Sequence, residues 1–224
     1  MFKISRYVPG NCFDIKGQPI QSYPQTLSWN KSTDCCSWDG VYCDETTGKV
    51  IELNLTCSKL QGKFHSNSSV FQLSNLKRLD LSGNNFSGSY ISPKFGPIPK
   101  PLFNLTNIGF LDLGYNYLEG PISDFFRFGK LRLLLLANNN FDGQLEFLSF
   151  NRSWTQLEAL DFSFNSITGS IPSNVSGLQN LNSLRLSSNQ LNGIIPSWIF
   201  SLPSLEWLDL SDNHLSGNIQ EFKS

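Results

Sequence analysis

The sequence predicts a solenoid, in which short units of one pattern stack along an axis around a shared apolar core. The pattern of residues 181–196, LNSLRLSSNQLNGIIP, reappears 24 residues later within residues 202–219. Seven such units align, and a cluster of cysteines and tryptophans precedes them. These observations favour one continuous stacked core over separate globular domains.

The repeated pattern is fixed by five aligned positions. A glycine lies four residues after the asparagine column in every unit, and an apolar residue lies two residues after it, as well as three and five residues before it. A 20–30-residue period of LxxLxLxxNxL is the signature of a leucine-rich repeat. We therefore predict a right-handed leucine-rich-repeat solenoid. The asparagine column holds Ser58, Asn84, Asn116, Asn139, Asn165, Asn189 and Asn213.

Each unit begins with a short strand. The two apolar residues of LxL are two positions apart, so both face the core, and strands of successive units lie parallel, about 4.8 Å apart. These strands form the concave sheet. The chain then turns inward, and buried backbone groups need partners. The asparagine amide both donates and accepts, so we expect it to link neighbouring units in a ladder.

The chain divides into a cap and a solenoid. Residues 1–46 do not repeat, and we assign them to an N-terminal cysteine-containing cap that covers the apolar end of the first unit. Trp29, Trp38 and Val41 are its expected core. Residues 47–224 form a solenoid of about seven repeats, which is irregular at residues 89–104.

The cysteines predict two bridges in the cap. Cys35 and Cys36 are adjacent, and a bond between them would be strained, so each needs another partner. We predict the short-loop bridge Cys36–Cys43 and a second bridge, Cys12–Cys35, which leaves Cys57 as a small, at least partly buried thiol.

The irregular segment has two interpretations. Successive asparagine positions are 26, 32, 23, 26, 24 and 24 residues apart, and the long spacing contains SYISPKFG followed by PIPKPLFN. Two repeat ends in series suggest that one or more repeats were lost near Gly96–Pro97. Alternatively, a loop was inserted on the convex side, which costs little because loop-closure entropy grows slowly with length.

The composition limits the kinds of partner that the chain can bind and indicates its cellular compartment. The formal charge is −1 and no run of Lys or Arg occurs, which argues against nucleic acid and anionic membranes. No apolar run is long enough to span a bilayer. Seven N-x-[ST] sequons beside the cysteine cluster indicate an extracellular glycoprotein. Their asparagines are Asn30, Asn54, Asn67, Asn85, Asn104, Asn151 and Asn174.

No pattern in the sequence predicts catalysis, a metal or a cofactor. The two histidines, His65 and His214, lie in different repeats. Carboxylates recur at one strand column, and carboxylate pairs can serve glycoside hydrolysis. Their regular recurrence shows instead that they belong to the repeat pattern. We therefore expect a protein-binding module and not an enzyme.

Binding should lie on the outward strand positions of the concave face, which stacking leaves free. The middle repeats carry aromatic and aliphatic residues there, with charged residues on either side, and such a patch is typical of a protein-binding surface. The candidate contact residues are Phe110, Asp112, Tyr115, Leu133, Leu135, Glu158, Asp161, Phe164, Arg185, Trp207 and Asp209. A glycan on Asn54, on the same face, would direct a ligand to later repeats.

The cap motif LSWNKSTDCCSWDGVYC together with LxxLxLxxNxLxGxIP resembles the plant extracellular leucine-rich-repeat proteins, and most closely the receptor-like proteins of the Cf class. Residues 51–82 and 145–151 are also similar to that class. The resemblance covers the chain from Cys12 onward and supports the bridges Cys12–Cys35 and Cys36–Cys43. GPIPKPLFN fits a later repeat of the family, which favours the loss of repeats.

The resemblance implies an ectodomain fragment of a plant immune receptor on the extracellular side of the plasma membrane. Such receptors perceive secreted pathogen proteins and signal through partner receptor kinases. The family has more repeats, a C-terminal cap and a membrane anchor, so we expect this chain to be a soluble fragment of an anchored protein. The alternative is a secreted inhibitor of a pathogen wall-degrading enzyme, similar to the polygalacturonase inhibitors.

Overall fold

A computed structural model describes residues 3–4, 12–13, 18–63, 69–89, 105–145 and 154–217. In these ranges the chain forms fifteen short strands, and its helical turns are 3-10 helices. The helical turns span Gln25–Ser28, Cys35–Ser37, Ser69–Gln72, Ile122–Arg127 and Ser197–Ser201. The strands are β1 (Lys3–Ile4), β2 (Val41–Cys43), β3 (Val50–Asn54), β4 (Leu60–Gln61), β5 (Arg78–Asp80), β6 (Phe110–Asp112), β7 (Glu119–Pro121), β8 (Leu133–Leu135), β9 (Asn140–Asp142), β10 (Ala159–Asp161), β11 (Thr168–Ser170), β12 (Ser183–Arg185), β13 (Gln190–Ile194), β14 (Trp207–Asp209) and β15 (His214–Ser216).

The largest sheet confirms the predicted parallel sheet. Its eight strands follow the order β14-β12-β10-β8-β6-β5-β3-β2, and every pair is parallel except β2–β3. Each of the seven aligned units contributes one parallel strand. The central LxL leucines stay in register across the sheet, as Leu79 opposite Leu111 and Leu160 opposite Leu184 illustrate. The β5–β6 register is continuous although these strands bracket the longest spacing in the sequence.

The core lies behind this sheet as one cluster that runs through all the repeats. It contains the apolar residues of the LxL strands and the apolar residue two positions after the asparagine column. Phe86, Phe141 and Leu191 at that following position are fully buried. Phe125, from a helical turn, packs edge-on against Phe141 with 5.5 Å between ring centroids. Burial of these side chains is the main stabilising contribution, because each is worth roughly 1.5–3 kcal/mol relative to exposure.

Shorter sheets flank the concave one. Strands β11, β13 and β15 form a parallel three-stranded sheet, and β7 pairs with β9 in the same way. Their residues follow each inward turn, and Gly120, Gly169 and Gly193 in them have positive φ values of 117°, 81° and 81°. Glycine takes this backbone conformation without a steric penalty, which explains the glycine column.

The predicted asparagine ladder is present, with one interruption. In a complete rung, Asn189 donates from Nδ2 to the carbonyls of Phe162 and Leu186, while its Oδ1 accepts from the amide of Ile167. Each rung therefore ties one repeat to the preceding one. Asn116 donates in the same way to Leu81, but no described residue donates to its Oδ1. This rung follows the 32-residue spacing, where the preceding repeat is atypical.

The cap seals the first repeat with an antiparallel strand. Strand β2 pairs with β3, and the amide of Asn54 donates to the Gly40 carbonyl at 2.7 Å. Val41 is buried, and Trp29 and Trp38 stack with 5.2 Å between ring centroids and pack against the core. This is the expected arrangement of the three cap-core residues.

One predicted bridge is confirmed and the other is wrong. Cys36 bonds to Cys43 as predicted. Cys12 bonds to Cys57, not to Cys35, so Cys57 is not a free thiol and Cys35 is. The early part of the cap contacts the first repeat, since the Ser22 hydroxyl donates to the Cys57 carbonyl and Cys12 bonds to Cys57 there. The sulfur of Cys35 lies within 4.8 Å of the sulfurs of the Cys36–Cys43 bridge.

Two expectations about the rest of the chain concern features that the structure describes only in part. Most of the irregular segment, residues 90–104, lies outside the described residues, and so does the proposed junction at Gly96–Pro97. In the described parts of the chain, no helix has the length and hydropathy needed to cross a bilayer.

Candidate functional site

The candidate site is the concave face, which the outward strand positions and the turn after each strand build. The first outward position of successive strands places Arg78 opposite Phe110, Phe110 opposite Leu133, and Leu133 opposite Ala159. The second outward position holds Asp80, Asp112, Leu135, Asp161, Arg185 and Asp209 in the same order. All predicted contact residues except Tyr115, Phe164 and Glu158 occupy these two columns.

An apolar patch occupies the middle of the face. Leu133 and Leu135, both on β8, are half-buried, and two aromatic side chains from the turns of the adjacent repeats flank this strand. Tyr115 is 59% exposed and Phe164 is 54% exposed. We call Tyr115, Leu133, Leu135 and Phe164 the central patch. Exposed aromatics beside half-buried aliphatic side chains are typical of protein-binding surfaces.

The backbone of the two aromatics is unusual. Tyr115 and Phe164 have φ values of 53° and 54°, and Asn138 in the repeat between them has 56°. A residue other than glycine, asparagine or aspartate is strained by roughly 1–2 kcal/mol in this left-handed conformation. Side chains that are more than half exposed at a strained position contribute little to the apolar core, so the two aromatics favour a role in binding.

Phe110 does not belong to the exposed patch. It is only 8% exposed, because the guanidinium of Arg78 lies 3.5 Å from its ring centroid. Arg78 also makes ion pairs with Glu52 at 3.1 Å and with Asp80 at 3.3 Å. Arg78 therefore closes the cap-side end of the face, and Phe110 is part of its support.

The other arginines on the face have carboxylate partners. Arg132 holds Glu158 through two hydrogen bonds of 2.8 and 3.0 Å. Arg185 is more open, since its Nη1 lies 3.8 Å from Asp161. The Arg185 guanidinium also lies 5.4 Å from the ring centroid of Trp207, which is 57% exposed. Trp207 and Arg185 thus form a second exposed group, in the two repeats that follow the repeat of Phe164.

Asp112 is electrostatically distinct from the other carboxylates. Burial raises its pKa well above the usual value, and the neighbouring carboxylate of Asp80 and then that of Asp161 raise it further. The hydrogen bond from the Gly114 amide at 2.9 Å and the positive charge of Arg78 oppose this rise. By contrast, the pKa of Asp209 is lowered, mainly because the Ser211 hydroxyl donates to its carboxylate.

The sequons differ in accessibility. Asn30 and Asn174 are exposed, while Asn54 and Asn85 are half-buried. Asn54 lies on the concave face opposite Asp80, as expected, and its Oδ1 accepts from the amide and hydroxyl of Thr56. Asn67, Asn104 and Asn151 lie outside the described residues. Glycosylation at these sites stays a prediction.

The sequence interpretation missed one exposed aromatic on the same sheet. Tyr42 pairs with Glu52 between β2 and β3, is 54% exposed and extends the concave face onto the cap. Because Val41 is expected in the cap core and neighbouring residues of a strand face opposite sides, the sequence could have indicated that Tyr42 is exposed. Its distance from the central patch, four strands away, sets it apart from the main candidate site.

Comparison with known proteins agrees with this geometry. Two leucine-rich-repeat family models match residues 150–215 and 75–105, and a leucine-rich-repeat N-terminal domain model matches residues 18–44. The last match coincides with the segment that forms the cap.

The relative that decides the family is the "Receptor-like protein Cf-9 homolog" of Solanum lycopersicum. It is 48% identical over 187 residues, which are 81% of this chain and 21% of that protein. The chain belongs to the plant leucine-rich-repeat receptor-like proteins of the Cf-9 type. It spans about one fifth of the length of the curated relatives that it matches.

Solved structures place this receptor-like chain among plant receptor ectodomains. The crystal structure of PEPR1-AtPEP1 superposes with a TM-score of 0.68 and 32% identity, over 87% of this chain and 26% of that one. The ectodomain of the Arabidopsis receptor kinase HAESA, in complex with an IDA peptide hormone, superposes with a TM-score of 0.58 and 25% identity, over 87% and 39%. Both the relative and the neighbours indicate a binding protein.

Proposed function

We propose that this chain is part of the ligand-binding ectodomain of a plant cell-surface immune receptor, and that it contacts a secreted pathogen protein through the central patch. The observation that supports this most strongly is the pair of exposed aromatics, Tyr115 and Phe164, on either side of Leu133 and Leu135. The family membership supports the receptor role, since the relative is a receptor-like protein.

The ligand class follows from the surface and from the neighbours. The HAESA ectodomain was solved in complex with a peptide hormone, so a receptor ectodomain of this fold binds a peptide chain. The central patch offers aromatic and aliphatic contacts along one row of strands, which suits an extended or looped polypeptide segment. The relative and the neighbours favour the receptor over the secreted enzyme inhibitor.

A variant-controlled binding experiment tests the proposal. The chain, secreted from plant cells, is immobilised and exposed to proteins of fungal culture filtrate, and the affinity for each captured protein is then measured. We expect Tyr115→Ala and Phe164→Ala each to weaken the binding of a genuine ligand at least about tenfold, because exposed aromatic anchors dominate interface energies.

Tyr117→Ala is the matched control. Tyr117 is 44% exposed and lies two residues from Tyr115, but it follows the asparagine of the turn and lies outside the central patch. We expect this variant to bind like the native chain. If every captured protein binds the two patch variants and the control equally well, the central patch is not the ligand site and the proposal is wrong.

A further inference from the structure

The charge of the concave face identifies the ligand more closely than its apolar patch does. The two outward strand columns and the two turn positions that follow them hold six carboxylates and two guanidinium groups. The carboxylates are Glu52, Asp80, Asp112, Asp161, Asp209 and Asp212, and the guanidinium groups are Arg78 and Arg185. The face therefore has a formal charge of −4, although the whole chain has a charge of −1.

The two arginines do not offer free positive charge to a ligand. Arg78 is enclosed by Glu52, Asp80 and the ring of Phe110. Arg185 is shared between Asp161 and the ring of Trp207. Arg132, at the edge of the face, is held by Glu158. Each arginine of the face is therefore paired with a carboxylate, although the side chains of Arg132 and Arg185 remain 58% and 46% exposed.

The apolar patch and the negative charge meet at β8. Asp112 and Asp161 occupy the same column on either side of Leu135, and Tyr115 and Phe164 occupy the turn position on either side of Asn138. Neighbouring strands are about 4.8 Å apart, so each pair is separated by about 10 Å at the backbone. Two carboxylates and two aromatic rings thus surround the aliphatic side chains of the central patch.

These groups share a preference for cations. Carboxylates attract positive charge, and the negative face of an aromatic ring also attracts an ammonium or guanidinium group. Among the described residues, no Lys, Arg or His lies within 4 Å of the Asp112 carboxylate. Asp80 and Asp161 on either side raise its pKa, and the more distant Arg78 offsets this only in part. A cation from a ligand would relieve this repulsion.

We propose that the segment seated on the central patch is a basic, amphipathic stretch of a secreted protein, whose Lys or Arg side chain lies between Asp112 and Asp161 while its apolar side chains contact Tyr115, Leu133 and Phe164. This rests on the proposed function, since it assumes that the central patch binds the ligand. Charge complementarity argues against a second copy of this chain, because two faces of charge −4 repel each other.

A synthetic peptide array tests the charge requirement directly. The probes are octapeptides with apolar residues on both sides of a central Arg, Lys, citrulline or Glu, where citrulline keeps the shape of Arg without its charge. We expect the native chain to retain Arg and Lys peptides at least about tenfold better than the citrulline counterparts. Glu peptides should show no retention.

Variants of the chain complete the test. Asp112→Asn and Asp161→Asn should each reduce the preference for Arg over citrulline at least about threefold, because each removes one carboxylate and preserves the shape. Glu119→Gln, in β7 and outside the concave sheet, should leave the preference unchanged. Thermal unfolding of each variant verifies that it is folded.

Several outcomes would overturn the inference. Equal retention of Arg and citrulline peptides, no retention of any basic peptide, or an unchanged preference in both Asn variants would each do so. Self-association of the chain through this face, detected by light scattering and lost in Tyr115→Ala, would identify a second copy as the occupant instead. If Tyr115→Ala and Phe164→Ala abolish capture of a secreted protein while charge has no effect, the proposed function stands and only this inference fails.

Discussion

Tyr115 and Phe164 occupy equivalent turn positions two strands apart, with nearly identical left-handed φ values of 53° and 54°, and more than half of each side chain is exposed. The repeat between them has Asn138 at the same position with φ 56°. Asparagine adopts this conformation readily. The two aromatics therefore cost stability at positions where the fold accepts a small polar residue.

Replacement of these aromatics should separate stability from binding. We expect Tyr115→Asn and Phe164→Asn each to raise the free energy of unfolding by up to about 1 kcal/mol, because asparagine relieves the left-handed strain. Urea unfolding followed by circular dichroism measures this. Tyr117→Asn, whose backbone is not left-handed, should show no gain; a loss of stability in both patch variants would mean that the aromatics pack for folding.

The interrupted asparagine ladder predicts unequal costs for the same substitution. Asn189→Ala should destabilise the chain by roughly 2–4 kcal/mol, because it leaves the Ile167 amide and the carbonyls of Phe162 and Leu186 without their partner. Asn116→Ala should cost about 1 kcal/mol less, since no described residue donates to its Oδ1. Urea midpoints of the two variants test this, and equal losses would contradict the interruption.

Asp112 should make stability depend on pH. Its pKa is raised in the folded chain by burial and by Asp80, so its ionisation opposes folding. Below the unfolded value of 3.8 the carboxyl is protonated in both states and the penalty is absent; stability is lost as pH rises through the folded pKa. Asp112→Asn should therefore stabilise the chain at neutral pH and have little effect near pH 4.

To isolate this effect, the free energy of unfolding of the native chain is compared with that of Asp112→Asn at several pH values. Unfolding free energies at several pH values should converge toward pH 4 and diverge toward neutrality. Asp209→Asn serves as the control, because hydrogen bonding lowers the pKa of Asp209, and its removal should destabilise the chain at neutral pH. If the unfolding free energies of the native chain and Asp112→Asn differ by the same amount at every pH, the pKa of Asp112 is not raised.

The cysteine pairing predicts one reactive thiol. Of the five cysteines, Cys35 is free and partly exposed, whereas Cys12, Cys36, Cys43 and Cys57 are in bridges. Alkylation of the folded, unreduced chain should therefore modify Cys35 alone, and peptide mapping should recover a Cys12–Cys57 linked peptide. Cys12→Ser should add a second modified site at Cys57. Recovery of a Cys12–Cys35 peptide would restore the pairing that the sequence predicted.

The repeat pattern was sufficient to predict the parts of the fold that depend on residues within one unit. The LxL leucines form the parallel strands and the core, the asparagines form the ladder, and the outward positions hold Leu133, Leu135 and Trp207 on the concave face. These features recur because every unit must bury its apolar side chains and form hydrogen bonds to the backbone of its turn.

The predictions that failed depend on neighbouring units. Phe110 had the spacing of an exposed residue, but Arg78 of the preceding repeat covers it. The strand pattern alone does not predict that a long side chain such as Arg78 extends across the strand spacing of about 4.8 Å and covers a residue of the next strand. Likewise, the spacing of the cysteines does not reveal that the early part of the cap, with Cys12 and Ser22, contacts the first repeat at Cys57.

The sequence by itself determined that this chain is a leucine-rich-repeat solenoid and which positions are committed to stacking, because apolar periodicity within a unit dictates which side is buried. Only the tertiary structure decided which outward residues remain accessible, since that depends on contacts between repeats. It closed the face around Arg78 and left Tyr115 and Phe164 exposed beside Asp112 and Asp161. The proposed binding site is therefore formed by side chains of several stacked repeats, and the sequence of one repeat does not predict it.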